Sequence, residues 1–184
     1  MKNSVIVTIA VLVLLAVWSV GNYNTAVGFD EGVKAAWGQV ENQLKRRYDL
    51  IPNLVETVKG YAGHEKEVFE HIADARTKYF QVQEPADKIA AAQGLEKALS
   101  RLLLLQETYP NLKANESFLK LQDELAGTEN RIAVERGRYN EKAKTANIYR
   151  RSFFGRIFAG WAGLNEAKYF EVEEKEKAAP QVKF

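Results

Sequence analysis

The sequence has no cysteine among its 184 residues and only two histidines. The lack of cysteine excludes disulfide bonds and metal sites built on thiolates. A large net charge of either sign is also missing, because 26 basic residues balance 24 acidic ones. That balance argues against a protein that holds nucleic acid through bulk positive charge. With only four prolines and little strand-like alternation, the chain is expected to be all-α.

Sequence signatures of enzymes are missing as well. The chain shows no nucleophile beside a base, no glycine loop that cradles phosphate and no thiol motif. Its two histidines, His64 and His71, fall on one predicted helix and do not assemble a catalytic triad. We therefore expect a protein that is not an enzyme and has no cofactor.

One long apolar run stands at the N-terminus. Residues 5–20 are almost purely apolar, and with Ser4 and Gly21 the run approaches the roughly 20 residues that a membrane-spanning helix needs. We predict an uncleaved anchor over residues 1–22 that contacts membrane lipids through residues 4–21. The alternative is a cleaved signal peptide, although Ser19-Val20-Gly21 is a poor cleavage pattern.

The charges that flank the anchor indicate its orientation. Lys2 and the terminal amine precede the run, whereas Asp30 and Glu31 follow it before Lys34. The positive-inside rule then places the N-terminus in the cytosol and the bulk of the protein on the outer side.

A stripe of apolar residues at steps of three or four follows the anchor and predicts a helix from about Tyr23 to Tyr79. Pro52 lies inside this stretch. We favour a continuous helix that is kinked at Pro52, because the stripe crosses the proline without changing phase. The alternative is a break, with Asp49 capping a new helix and Pro52 in its first turn.

Two further helices follow. The second is predicted over about 86–108, with Pro85 at its start and Tyr109-Pro110 at its end. The third opens at Asn115, a good N-cap, and shows a nearly strict heptad pattern from Phe118. We expect a transmembrane helix that continues into an elongated antiparallel bundle of about four helices over 23–171. Residues 172–184 are predicted to be a disordered charged tail.

The segment 150–164 is rich in aromatic residues and arginine and has two interpretations. It closes the end of the bundle as a fourth helix, or it lies in the membrane interface with arginines at the headgroups. The second interpretation would make it a lipid- or signal-sensing element. The candidate interface residues are Trp18, Phe153, Phe154, Phe158 and Trp161.

Part of the stripe near the membrane needs a partner that the short second helix does not supply. Its members are Val33, Trp37, Val40 and Leu44. Either the C-terminal part of the third helix covers these residues, or they form an interface between copies of the chain.

Three polar features are weighed against simpler interpretations. His64, Glu67 and His71, with Glu124 or Glu129, form a weak candidate metal site, but the apolar stripe turns part of this set toward solvent.

The basic residues 45–47 favour a solvated face or a salt bridge between helices over an anion site. The asparagines are expected to form hydrogen bonds between helices, and they stand at positions 24, 53, 115, 130, 140 and 147.

With these residues in view, the sequence resembles the LemA family of bacterial membrane proteins. The match extends from the anchor to 169–171 and departs after Tyr149, where the family usually has a Phe-Pro pair and this chain has Phe153-Phe154. The matching stretches include Gln43-Leu-Lys-Arg-Arg-Tyr-Asp-Leu-Ile-Pro-Asn-Leu-Val-Glu-Thr-Val-Lys-Gly-Tyr-Ala62, Glu107-Thr-Tyr-Pro-Asn-Leu-Lys-Ala-Asn115, Thr128-Glu-Asn-Arg-Ile132 and Arg138-Tyr-Asn140.

The resemblance implies a single N-terminal anchor in the bacterial inner membrane and a helical bundle, with no established enzymatic activity, cofactor or catalytic residue. We therefore expect a non-enzymatic, membrane-anchored helical scaffold that forms a homo-oligomer or binds another envelope protein. A lipid- or signal-sensing module is the alternative, and a metal-binding bundle is the least favoured.

Overall fold

A computed structural model describes residues 2–170, and the predicted tail at 172–184 lies outside these residues. No strand occurs over 2–170, which confirms the all-α prediction. The helices are α1 Lys2–Tyr48, α2 Ile51–Lys59, α3 Lys66–Gln81, α4 Pro85–Leu104, α5 Pro110–Lys113, α6 Glu116–Arg151 and α7 Gly155–Ala162, and a 3₁₀ turn follows α4 at Leu105–Glu107.

The helix α1 has 47 residues and is about 70 Å long at 1.5 Å per residue. Its N-terminal part holds the apolar run, whose side chains are exposed, and it is long and apolar enough to cross a membrane. Its C-terminal part is buried through Trp37, Val40 and Leu44. The chain contains no proline before Pro52, so nothing interrupts the hydrogen-bonded backbone between these two parts.

The prediction of one helix from Tyr23 to Tyr79 is wrong. The helix α1 ends at Tyr48, and Pro52 stands in the first turn of α2, as the alternative proposed, although Asp49 does not cap it. A second break follows α2 at Lys59, where Gly60 begins the turn that leads to α3. The apolar stripe keeps its spacing across Pro52 because α1 and α2 both pack on one core. The spacing therefore shows which residues are buried, and it does not show that the helix is continuous.

The helix α6 runs antiparallel to α1 along most of the soluble part. The rings of Trp37 and Tyr139 lie 5.7 Å apart, and Arg47 donates a hydrogen bond of 2.7 Å to the carbonyl of Leu125. Asn115 caps α6 as predicted, since its side chain accepts from the Phe118 amide at 2.9 Å. The predicted heptad pattern is the buried face of α6, which includes Phe118, Leu125, Ile132, Tyr139 and Ala146.

The helices α3 and α4 form a hairpin against the C-terminal end of α1. The rings of Tyr48 and Tyr79 meet edge to face at 4.7 Å, which places α3 on α1. An ion pair joins Lys88 of α4 to Glu41 of α1. The C-terminal end of α1 is therefore enclosed by α3, α4 and α6, whereas the side chains of its N-terminal part are exposed.

After α7 the chain returns along the bundle as a segment that is neither helix nor strand, residues 163–170, which we call the strap. The side chain of Asn147 donates to the Ala167 carbonyl at 2.8 Å and accepts from the Ala167 amide at 3.0 Å. Asn140 forms the same pair of bonds with Phe170, at 3.0 and 2.9 Å. Seven helical residues span about 10.5 Å and three extended residues about 10 Å, so the two pairs are in register.

Two of the asparagines that were expected to form hydrogen bonds between helices bind the strap. Asn140 and Asn147 bind its backbone and not a neighbouring helix. Because their amides satisfy backbone groups that no helix or sheet pairs, they allow a non-helical segment to lie against the core. Phe170 completes this contact by stacking on Trp37 at a ring distance of 5.9 Å.

Substitution Asn147→Ala is expected to lower the free energy of unfolding by about 1–3 kcal/mol, because it leaves the backbone of Ala167 without partners. Chemical denaturation of the full chain in detergent measures this loss. Asn130→Ala is the matched control, since Asn130 is exposed on the same helix and its substitution should cost less than about 0.5 kcal/mol. Equal stability of the two variants would contradict the role given to the strap.

Candidate functional site

The candidate site is built by the turn that joins α6 to α7. The Ser152 hydroxyl donates to the Tyr149 carbonyl at 2.8 Å and accepts from the Gly155 amide at 3.1 Å. The turn requires glycine at 155, because a Cβ there would lie 2.0 Å from the Tyr149 carbonyl oxygen. This close approach returns α7 onto α1 and α6 within three residues.

Two contacts place α7 beside the predicted end of the membrane anchor. The ring of Trp18 meets Phe154 at 5.2 Å and Phe158 at 5.5 Å, both edge to face. The Tyr149 hydroxyl donates a hydrogen bond of 2.8 Å to the Asn22 carbonyl. Trp18 and Asn22 lie at the end of the predicted anchor, residues 1–22, so α7 and the end of α6 lie at the expected level of the membrane surface.

The exposed side of α7 is strongly apolar. Phe153 is 71% exposed and Trp161 69%, and Phe154 and Ile157 are also exposed. Arginines border this surface, and the guanidinium of Arg156 lies 5.7 Å from the centre of the Phe153 ring. We call the surface formed by Trp18, Phe153, Phe154, Ile157 and Trp161 the aromatic face.

Of the five candidate interface residues, Phe158 is not at the surface. Phe158 and Leu164 are buried, and Leu164 packs with Ala146 and Ala159. The segment therefore closes the end of the bundle through these residues, as the first interpretation proposed. The remaining apolar residues are exposed, and their contact with the membrane interface stays a prediction.

The stripe that was considered for self-association lies inside the chain's own core. Trp37, Val40 and Leu44 are buried and Val33 is partly buried. The helix α6 covers them, and Phe170 of the strap adds to that cover. An interface between copies at this stripe required the stripe to be uncovered, so the prediction that these residues form it is wrong. A contact between copies would need another surface.

The weak metal candidates do not come together. His64 lies in the turn before α3 and His71 lies on α3, so the break removes the shared helical face. The His71 Nε2 is 3.9 Å from the Glu67 Oε1 in an exposed pair. Over residues 2–170, no three potential ligands among His, Cys, Asp and Glu gather in a group that would hold a metal ion.

Arg47 is the member of the basic cluster 45–47 that has a defined role. Its Nη2 is 2.9 Å from a Glu96 oxygen and its Nη1 is 3.0 Å from a Glu129 oxygen, deep between α1, α4 and α6. Lys45 and Arg46 are exposed. The simpler interpretation of the cluster, a salt bridge between helices, is confirmed for Arg47.

The carboxyl of Glu96 is perturbed by its burial beside Arg47. Burial raises its pKa above the ordinary value of 4.5, and the nearby Glu129 adds to the rise, whereas Arg47 opposes it. The ion pair thus offsets only part of the free energy that it costs to remove the carboxylate from water.

The raised pKa of Glu96 predicts a sign for the dependence of stability on pH. Between pH 4.5 and the folded-state pKa, the folded chain keeps a proton that the unfolded chain has released, so the free energy of unfolding falls as pH rises. Unfolding of the wild type and Glu96→Gln should be measured from pH 4.5 to 7. As pH rises, the free energy of unfolding of the wild type should fall relative to that of Glu96→Gln. A rise relative to the variant would contradict this account.

Comparison with known proteins gives a family and several relatives. A family model described as the LemA family matches residues 36–184. Magnetosome protein MamQ 2 of Paramagnetospirillum magneticum is 27% identical over 175 residues, which cover 81% of this chain and 64% of that protein. Magnetosome protein MamQ of Magnetospirillum gryphiswaldense is 24% identical, covering 80% of this chain and 64% of that protein. Protein LemA of Metamycoplasma hominis is 22% identical, covering 86% and 73%. The chain thus spans slightly less than two thirds of the length of these magnetosome relatives.

Proposed function

The chain belongs to the LemA family, and from this premise we propose that it is a non-enzymatic, membrane-anchored scaffold that associates with further copies of itself or with another envelope protein. It is a membrane-associated helical protein with one apolar N-terminal helix that fits a single membrane span. The proposal places that span in the bacterial inner membrane and the bundle on the extracytoplasmic side, because Lys2 precedes the span and acidic Asp30 and Glu31 follow it.

The observation that supports a scaffold is the unbroken helix α1. From Trp18 to Tyr48 it rises about 45 Å without a hinge and becomes the centre of the bundle. A helix that belongs to both membrane and core holds the bundle at a fixed height and in a fixed orientation. Such rigid presentation suits a protein that positions partners, whereas a binding module on a linker would sample many orientations.

We place the contact between copies on the outer side of α6, because the stripe on α1 is covered. Leu119, Val134 and Ile148 are exposed on this side. Val134 and Ile148 are separated by 14 residues, or two heptads, so they follow one line along the helix, and Leu119 lies one heptad position beside that line. Since α6 runs alongside the rigid α1, copies in one membrane present these lines at the same height and in the same direction.

The mass of the full chain in detergent, measured by light scattering, tests the scaffold proposal. A discrete oligomer is expected for the wild type, and Val134→Glu should shift it to the monomer by placing charges opposite each other. The control Leu104→Glu changes an equally exposed apolar residue outside α6 and should leave the oligomer intact. A monomeric wild type would exclude self-association and leave the envelope partner as the remaining form of the proposal.

A second candidate function, a lipid-contacting module, is favoured by the position of α7. The aromatic face is exposed beside Trp18, and large aromatic rings with nearby arginines are typical of helices that lie in the membrane interface. The side chains on the opposite side of α7 are fixed in the bundle, so any change in the lipid surface would act directly on the packing around Ala159 and Leu164.

A further inference from the structure

We propose that the cavity between the end of α6 and α7 binds the phosphate of an anionic phospholipid headgroup. This inference rests on the proposed lipid contact of α7 and adds the chemical class of the ligand. The cavity has a volume of about 380 Å³ and is lined by Arg150, Arg156, Ala159, Gly160, Gly163, Leu164 and Asn165.

The lining of the cavity favours an anion. It includes two basic residues, Arg150 and Arg156, and no acidic residue. Guanidinium groups bind phosphate through paired, charge-assisted hydrogen bonds. The nearest competitor is Glu166, whose oxygen is 3.4 Å from Arg150 in an exposed pair that water weakens. A phosphate bound by the two arginines would therefore compete with two weak contacts, the Arg150–Glu166 pair and the contact of Arg156 with the Phe153 ring.

The floor of the cavity is open because it contains glycine. A Cβ added at Gly160 or at Gly163 would meet nothing within 4 Å, so the missing side chains leave room for a headgroup. Gly163 has a φ of 71° and ends α7 in the left-handed conformation. The Gly163 amide donates to the Gly160 carbonyl at 3.4 Å, so the Gly163 carbonyl and the amide of Asn165 are the polar backbone groups that a glycerol or a similar headgroup would meet.

The position of the cavity matches the height of lipid phosphates. On α7, Arg156, Ala159, Gly160 and Gly163 follow the helical spacing of one side, next to the aromatic face. Tyr149, the neighbour of Arg150, contacts α1 at Asn22, four residues or about 6 Å beyond the Trp18 that touches Phe154. The headgroup layer is about 5–7 Å thick on each side of a bilayer. With the aromatic face at the hydrocarbon boundary, the two arginines reach the phosphates.

The test uses the full chain in nanodiscs of equal phosphatidylglycerol and phosphatidylcholine, with retained lipids counted by native mass spectrometry. The wild type should retain phosphatidylglycerol in preference to phosphatidylcholine. In Arg150→Gln/Arg156→Gln that preference should fall about tenfold. Arg151→Gln is the matched control, because Arg151 is an exposed neighbour of equal charge that does not line the cavity.

Two results would overturn the inference. An equal loss in Arg151→Gln would show that diffuse charge and not the cavity selects the lipid. Displacement of the retained lipid by millimolar inorganic phosphate, at the same concentration for wild type and control, would make free phosphate the ligand and not the headgroup. Retention of phosphatidylglycerol in the presence of that phosphate supports the lipid source.

A second readout separates this inference from the proposed lipid contact itself. Fluorescence of Trp161, obtained by subtracting the Trp161→Phe variant, should be quenched by brominated phosphatidylcholine if the aromatic face enters the interface. Quenching without any preference for phosphatidylglycerol would leave the lipid contact standing and overturn the phosphate site. Absence of quenching by the brominated lipid would overturn the lipid contact, and the phosphate site with it.

Discussion

The continuous hydrogen-bonded backbone of α1 is the constraint on which the other parts of this structure depend. The helix α1 passes from exposed apolar side chains to buried ones within one element. Its glycines at 21, 28, 32 and 38 each weaken a helix by roughly 1 kcal/mol relative to alanine. Packing against α6 and α7 begins in the same region, and this tertiary contact offsets the weak local propensity.

Polar groups secure the bundle at the places where apolar packing alone does not define a register. Asn140 and Asn147 fix the strap by pairing with its backbone, and Arg47 joins three helices through two carboxylates and a carbonyl. Buried ion pairs contribute little net stability, and the raised pKa of Glu96 agrees with a desolvation cost that is not fully repaid. Arg47 thus contacts α1, α4 and α6 together, through an ion pair whose net contribution to the free energy of folding is small.

The sequence predicted the helical class, the N-cap at Asn115 and the heptad face of α6, because each depends on local spacing or a local side chain. It failed at Pro52 and Gly60, where an apolar stripe continued in phase across two breaks. Periodicity reports which side chains are buried, and two helices on one core share that pattern. The strap was missed because Ala167 and Phe170 follow no helical period, and their partners are 20 and 30 residues away. Within the candidate site, composition identified the segment of α7, but only the fold shows that Phe158 is buried whereas Phe154 and Trp161 are exposed.

The central claim is that anchor and bundle form one rigid body. Amide hydrogen exchange of the full chain in nanodiscs, followed across residues 19–32, tests it most directly, because a helix protects its amides and a flexible joint does not. We predict that these amides exchange about as slowly as those of α6 that face the core, with no fast site at Gly21 or Gly28. Rapid exchange over several consecutive residues there would show a hinge, and the bundle would then not be held at a fixed height above the membrane.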